Sequence, residues 1–145
     1  MKRAMKSVDR VPKLLDSLRI RGERMTIARR AIIEVLASAP GHVSAEEILV
    51  AVQHRHPEIH RATVYRTLET LDRLGIVQHT HLGHGPAAYH LADDVHQHLV
   101  CEGCGAVVEV PATLFRGIEQ RLQRDYGFVM RPFHFAIVGR CRGCS

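Results

Sequence analysis

The sequence contains no apolar run approaching the ~20 residues needed to cross a bilayer, which excludes a membrane-spanning helix. Its opening stretch, MKRAMKSVDRVPKLL, is basic but has neither an apolar core nor a small-residue cleavage site, so it does not read as a secretory signal. A soluble, cytoplasmic protein with no membrane partner is the expectation. Internal repeats and low-complexity segments are also missing, which excludes solenoids and tails. Cysteine is scarce: there are four, all in two pairs, so none is left over for a second thiolate site. Acids are fewer than bases, 15 against 20.

What is present is a chain of 145 residues, 46% hydrophobic and 24% charged, enough for one domain or two small ones. Eleven histidines point to metal, and a net charge of +5 points to a polyanion. The charge is unevenly placed. Residues 1–91 carry 14 Lys/Arg against 9 Asp/Glu, whereas residues 92–145 carry 6 against 6. Such asymmetry is the footprint of a nucleic-acid-binding module joined to something else, although a solvated basic surface explains the charge equally well.

Residues 12–21 predict a short helix ended by Gly22. Thr26 reads as the N-cap of a second helix that Pro40 and Gly41 stop. Ser44-Ala-Glu-Glu47 is a capping box opening a third, which Pro57 ends. A fourth runs from about Ala62 to Leu74, with Val64, Leu68, Leu71 and Leu74 as its buried stripe and Gly75 as its C-cap. Runs 76–82 and 87–91, joined by Gly83-His-Gly-Pro86, form a β-hairpin. Helices followed by a hairpin, with a polar helix just before it, describe a winged helix whose helix 62–74 would enter the major groove. An ordinary amphipathic helix remains the plainer alternative.

Ala92-Asp-Asp-Val95 is a polar connection and marks a domain boundary. Beyond it, strands are expected at 98–101, 106–110 and 133–139. A helix is expected at 112–126 with Leu114, Phe115, Ile118 and Leu122 inward. Fifty residues make a very small core, which normally needs a metal staple or a partner chain.

Cys101-Glu-Gly-Cys104 and Cys141-Arg-Gly-Cys144 are two C-x-x-C knuckles that can close a tetrahedral thiolate site, suited to structural Zn²⁺. Disulfides or free thiols stay open. His96-Gln-His98 and His79-Thr-His81 each place two imidazoles on one strand face. His42 sits just before the third helix, His90 ends the hairpin, His134 lies on the last strand, and Glu109 lies on the strand after the first knuckle. For any single histidine a solvated or core role is the commoner one. Imidazoles with few carboxylates suit Ni²⁺, Zn²⁺, Cu²⁺ or Fe²⁺ better than Mg²⁺ or Ca²⁺.

Three segments together carry a family resemblance: Ala62-Thr-Val-Tyr-Arg-Thr-Leu68, His96-Gln-His-Leu-Val-Cys-Glu-Gly-Cys-Gly105 and Gly139-Arg-Cys-Arg-Gly-Cys144. With the winged-helix pattern they resemble the ferric uptake regulator (Fur) family from about residue 12 onward. The resemblance implies an α+β chain: a winged-helix DNA-binding domain over 1–91, then a small α/β dimerisation and metal-binding domain over 92–145. It implies a non-enzymatic, homodimeric, metal-dependent repressor of palindromic operators.

Val77–Gly85, Tyr89–Ala92 and His134–Cys141 are most similar to the nickel-responsive branch (Nur). That likeness implies a site of His79, His81 and His134, and a nickel site of His42, His96 and His98. His90 and Glu109 match sensory-site positions of iron and peroxide sensors. Two departures matter. Asp94 or Val95 stands where the nickel branch carries another histidine, which leaves that site short of a ligand or reliant on His90. Val95, Gln97, Arg116 and Phe133 occupy the ligand positions of a further family site, which is dismantled here. Iron, zinc and manganese therefore stay as alternatives to nickel.

On DNA, Arg66, Arg61 and Arg24 are expected to meet phosphates and Thr63 to position the helix on the backbone. The resemblance gives Tyr65 the contact with a thymine methyl. A small zinc hydrolase and a nickel or zinc store or metallochaperone are the rival classes. The first needs an open metal position and a base. The second leaves the charge split and helix 62–74 unexplained.

Overall fold

A computed structural model describes residues 7–82, 85–92, 96–130 and 136–145. Val95, Phe133 and His134 lie outside the described residues. The helices are α1 (Ser7–Ile20), α2 (Ile27–Ser38), α3 (Ala45–Arg55), α4 (Arg61–Arg73) and α5 (Arg116–Tyr126), the last preceded by a 3₁₀ turn, Ala112–Phe115. The strands are β1 (Val43–Ser44), β2 (Val77–His81), β3 (Ala87–Leu91), β4 (His96–Cys101), β5 (Val107–Pro111) and β6 (Ala136–Gly139). None of the described helices is long and apolar enough to cross a membrane.

The described residues divide into two compact units. One holds everything up to Gln78 together with Tyr89–Ala92; the other holds the hairpin's tip and everything after Ala92.

In the first unit the local signals act as the sequence predicts. The Thr26 hydroxyl accepts from the Arg29 N–H, capping α2. Ser44 and Glu47 close the capping box of α3 in both directions. Gly75 follows α4 at φ +67°, a conformation that glycine adopts without a Cβ clash. The helices meet around one core: Leu18, Ile32, Ile33, Ile48, Val64, Leu68 and Leu71 are all fully buried. Strands β1, β3 and β2 form a sheet in that order. α1 begins earlier than expected and carries Pro12 inside it, where the missing N–H leaves one backbone carbonyl unanswered.

In the second unit β4 is central. It pairs antiparallel with β5 and parallel with β6. The inward stripe expected of the last helix is corrected. Phe115 is buried, but Leu114 is 65% and Ile118 52% exposed, Leu122 is only half-buried, and α5 buries no residue. The period is helical as expected; the surface that would cover it is not supplied by the described residues of this chain.

Candidate metal centres and nucleic-acid interface

The first cluster follows from how the second sheet ends. β4 runs out into the Cys101–Cys104 turn, and β6, its parallel neighbour, runs out into Cys141–Cys144. The Glu102 N–H donates to the Gly139 carbonyl, so the two knuckles are held side by side. All four Sγ atoms lie within 4.8 Å of one another, with Cys104 and Cys141 3.8 Å apart and no disulfide formed. An ion ~2.3 Å from each sulfur of a tetrahedron requires sulfurs about 3.8 Å apart. The residues fit such an ion.

Gly103 lets the knuckles close, since a Cβ there would sit 2.9 Å from the Cys144 Cβ. The backbone N–H of Cys141 points at Cys101 Sγ from 3.3 Å. That N–H first, and those of Cys104 and Gly103 with it, draw the Cys101 thiol down to about 6. Hydrogen bonding with the other sulfurs, Cys141 foremost, pushes Cys144 up to about 12. The thiolate, not the thiol, is the metal ligand, so an ion bound here would release thiol protons. Four protein ligands leave no position for water, so the site suits a structural role.

The second cluster comes from strand register. His96 and His98 alternate onto one face of β4, and His98 stands opposite Glu109 on β5. The two imidazole rings are 4.8 Å apart between centroids, and His96 Nε2 is 3.6 Å from Glu109 Oε1. Ligand atoms of His96, His98 and Glu109 all lie within 4.8 Å of one another. His98 is 3% exposed. The other face of β4, at Leu99 and Cys101, lines an apolar groove of about 390 Å³ with Val108 and Ile137.

In the first unit His42 and His90 meet edge to face with ring centroids 4.6 Å apart. His90 is buried, and its Nδ1 lies 3.0 Å from the Leu91 carbonyl. A carbonyl can only accept, so Nδ1 carries the proton of this bond. His79 and His81 have centroids 6.0 Å apart on β2. Thr80 between them is buried, and its hydroxyl has no hydrogen-bond partner among the described residues. With His134 outside those residues, only two members of the expected trio are placed.

α4 turns Val64, Leu68 and Leu71 into the core and leaves Thr63, Tyr65 and Arg66 exposed. Between α4 and the start of α2 lies a groove of about 320 Å³ lined by Thr26, Arg29, Thr63, Arg66, Thr67 and Thr70, with Ala28 and no carboxylate. Thr67 and Thr70 lie with Thr63 and Arg66 off the buried stripe of α4, as the sequence pattern indicates; Arg29, not singled out in the sequence, is paired with Glu23 at 3.0 Å. The i, i+4, i+7 spacing of the threonines signals one polar face of α4, but the α2 side is joined to it only by the fold. Arg24 is exposed beside this groove and its carbonyl accepts from Arg29. Arg61, expected at a phosphate, donates from both terminal nitrogens to Glu46, at 2.6 and 2.7 Å. The same ion pair raises its pKa above the ordinary arginine value.

An exposed helix on a winged-helix scaffold, carried on one chain with a sulfur-lined and an imidazole-lined cluster, defines the class of metal-binding regulators of DNA. The family model described as "Ferric uptake regulator family" matches residues 20–137, and the chain belongs to that family. It is 36% identical over 143 residues to the ferric uptake regulation protein of Bacillus subtilis, covering 95% of this chain and 94% of that one. It is 30% identical to the peroxide-responsive repressor PerR of Staphylococcus epidermidis, covering 100% and 97%. The solved structure of the ferric uptake regulator from Pseudomonas aeruginosa with manganese superposes with a TM-score of 0.71 at 29% identity, covering 88% and 97%. The α+β class and the order of a DNA-binding domain before a small domain agree with that fold.

Proposed function

We propose that the chain is a metal-dependent transcriptional repressor that binds palindromic operator DNA as a homodimer, with nickel as its regulatory ion. The observation that carries this reading is the gathering of His96, His98 and Glu109 around one point on the second sheet. In this reading His42, two residues before the cap of α3, and His90 are further ligands of the ion. A bound ion supplies directional bonds to imidazole nitrogen and carboxylate oxygen. Ligands drawn from both sides of residues 92–95 favour one arrangement of the DNA-binding domain, residues 1–91, over the dimerisation domain, residues 92–145. Moving that equilibrium from 1:99 to 99:1 needs about 5.5 kcal/mol of differential binding. The preferred arrangement sets the separation of two α4 helices, which must match half-sites ~34–36 Å apart.

The four-cysteine cluster takes Zn²⁺ and staples the ends of β4 and β6. His79, His81 and His134 form a further site. Arg66, Arg24 and Thr63 meet the backbone, and Tyr65 reads a base. Homodimerisation is supported by the uncovered apolar surface: Leu114, Ile118, Phe128 and Val129 are all more than half exposed. The protein works in the cytoplasm, where its operators are.

Nickel is favoured by a histidine-rich ligand set and by the likeness of residues 77–85 to the nickel branch. A second reading, iron, has its own observation. Glu109 places a carboxylate 3.6 Å from His96, and hard oxygen ligands suit Fe²⁺ or Mn²⁺ better than Ni²⁺. Zinc is the third option. The experiment is selection of duplexes from a random DNA pool by the full chain with Ni²⁺, Fe²⁺, Zn²⁺ or Mn²⁺, and without metal. One ion should enrich a palindrome that the metal-free chain does not, and should do so at a lower concentration than the other ions. A metal store or a zinc hydrolase enriches nothing with any ion, and that result would end the regulator reading.

A further inference from the structure

The first turn of α3 and the first residue of α4 are joined by a fork-to-fork ion pair, Arg61 to both oxygens of Glu46. Both side chains are more than half exposed, so the pair adds little to stability. Its two parallel bonds do fix direction, because the planar guanidinium must lie in the plane of the carboxylate.

Glu46 belongs to a segment in which every position is tied down. His42 rests edge-on against His90. Val43 packs on the core. Val43 and Ser44 form β1, hydrogen-bonded to β3. Ser44 and Glu47 close the capping box. Only three residues lie between the imidazole at 42 and the carboxylate at 46. Across the ion pair, Arg61 opens the helix that carries Thr63, Tyr65 and Arg66. A displacement at His42 therefore has a short, stiff route to the start of the DNA-facing helix, all within one unit.

We propose that Glu46 is a positioning residue for α4: it holds Arg61 as a strut rather than as a phosphate contact, and so passes a pull on His42 to the recognition helix. This rests on His42 being a ligand of the regulatory ion, as in the preceding reading. Two consequences follow from the geometry. Arg61, already neutralised, releases no counterion on binding and adds nothing to the salt dependence. The Glu46–Arg61 bond matters more in the metal-loaded protein than in the metal-free one, because only then is there a displacement to transmit.

The test uses the full chain and the duplex enriched by nickel-loaded wild type. Glu46→Gln, Arg61→Gln, the double variant and Arg66→Gln are compared by thermal melting, Ni²⁺ titration and DNA binding with and without Ni²⁺ over a range of salt. Glu46→Gln should melt and bind Ni²⁺ like wild type and keep its metal-free DNA affinity. Its ratio of metal-loaded to metal-free affinity should fall by ~5-fold or more. Arg61→Gln should lower that ratio equally, and the double variant should lose no more than either single change. Arg66→Gln should reduce the salt slope by about 1, whereas Arg61→Gln leaves it unchanged.

A Glu46→Gln protein that keeps the full ratio, or loses affinity equally with and without metal, overturns the proposal. So does an Arg61→Gln protein with the reduced slope of Arg66→Gln. A metal-dependent wild type beside an unaffected Glu46→Gln defeats the relay alone. A wild type indifferent to every ion defeats the regulator reading, and the relay with it.

Discussion

At the level of single residues, small groups of atoms decide separable properties. Glu47 accepts from the Ser44 backbone N–H at 2.7 Å and from its hydroxyl at 2.8 Å. These bonds, the backbone one first, hold its carboxyl below the ordinary value of 4.5. A carboxyl lowered by folding stabilises the fold fully above its ordinary value, and the contribution is lost as pH falls through the folded one. Ser44→Ala should therefore lower stability by about 1 kcal/mol at neutral pH. The part of that loss carried by the hydroxyl's bond to the Glu47 carboxylate should fade as pH falls well below 4.5, while the part carried by the Glu47 N–H bond to Ser44 Oγ persists; a gap that widens on acidification would place the effect elsewhere.

Tyr65 and Arg66 separate in another way. Arg66→Ala should weaken binding to every duplex alike, with a salt slope lower by about 1. Tyr65→Ala should instead narrow the preference for the selected duplex over a scrambled one by roughly 1–3 kcal/mol. Competition binding at several salt concentrations distinguishes them, and equal losses on all sequences would remove Tyr65 from direct readout.

Secondary-structure elements show where sequence reading holds and where it stops. The caps of α2 and α3 and the glycine ending α4 were legible because each depends on atoms within four residues of one another. The hairpin strands were legible from alternation and turn residues. Glu109 was legible as a candidate ligand through the resemblance, but its pairing with His98 was not, since ten residues lie between them and register is set by the whole sheet. Nor was the Arg61–Glu46 bond, which spans 15 positions. The stripe of α5 was read with the right period and the wrong destination: a hydrophobic period says that a face is covered, not by what. Leu114 and Ile118 mark that face. The double change Leu114→Asp and Ile118→Asp should raise the dimer dissociation constant at least ~100-fold, since each removes a buried side chain from an interface. Sedimentation measures it; an unchanged dimer would assign this face to another role.

For the whole molecule the two clusters should fail in opposite ways. His96→Ala with His98→Ala should abolish metal-dependent DNA binding while leaving the dimer and the melting temperature close to wild type. Cys101→Ser or Cys141→Ser should cost the second unit its staple, losing fold or dimer first, with DNA binding following. Circular dichroism and sedimentation beside the binding assay separate these outcomes. A monomeric His96→Ala/His98→Ala protein would make that histidine pair structural.

Residues 1–91 could be read in outline because helix starts, helix stops and hairpin turns are short-range events written in neighbouring side chains. The two knuckles and the segment Ala62–Leu68 were specific enough to place the chain in its family, and the family match agrees. The sequence pointed to the knuckles and to Glu109 as candidate ligands; tertiary structure decided the distances between those sulfurs, the register that sets His98 opposite Glu109, and that the first arginine of α4 is held by a carboxylate. Those facts depend on contacts between residues far apart in the chain, whose distances follow from packing and register rather than from local preference.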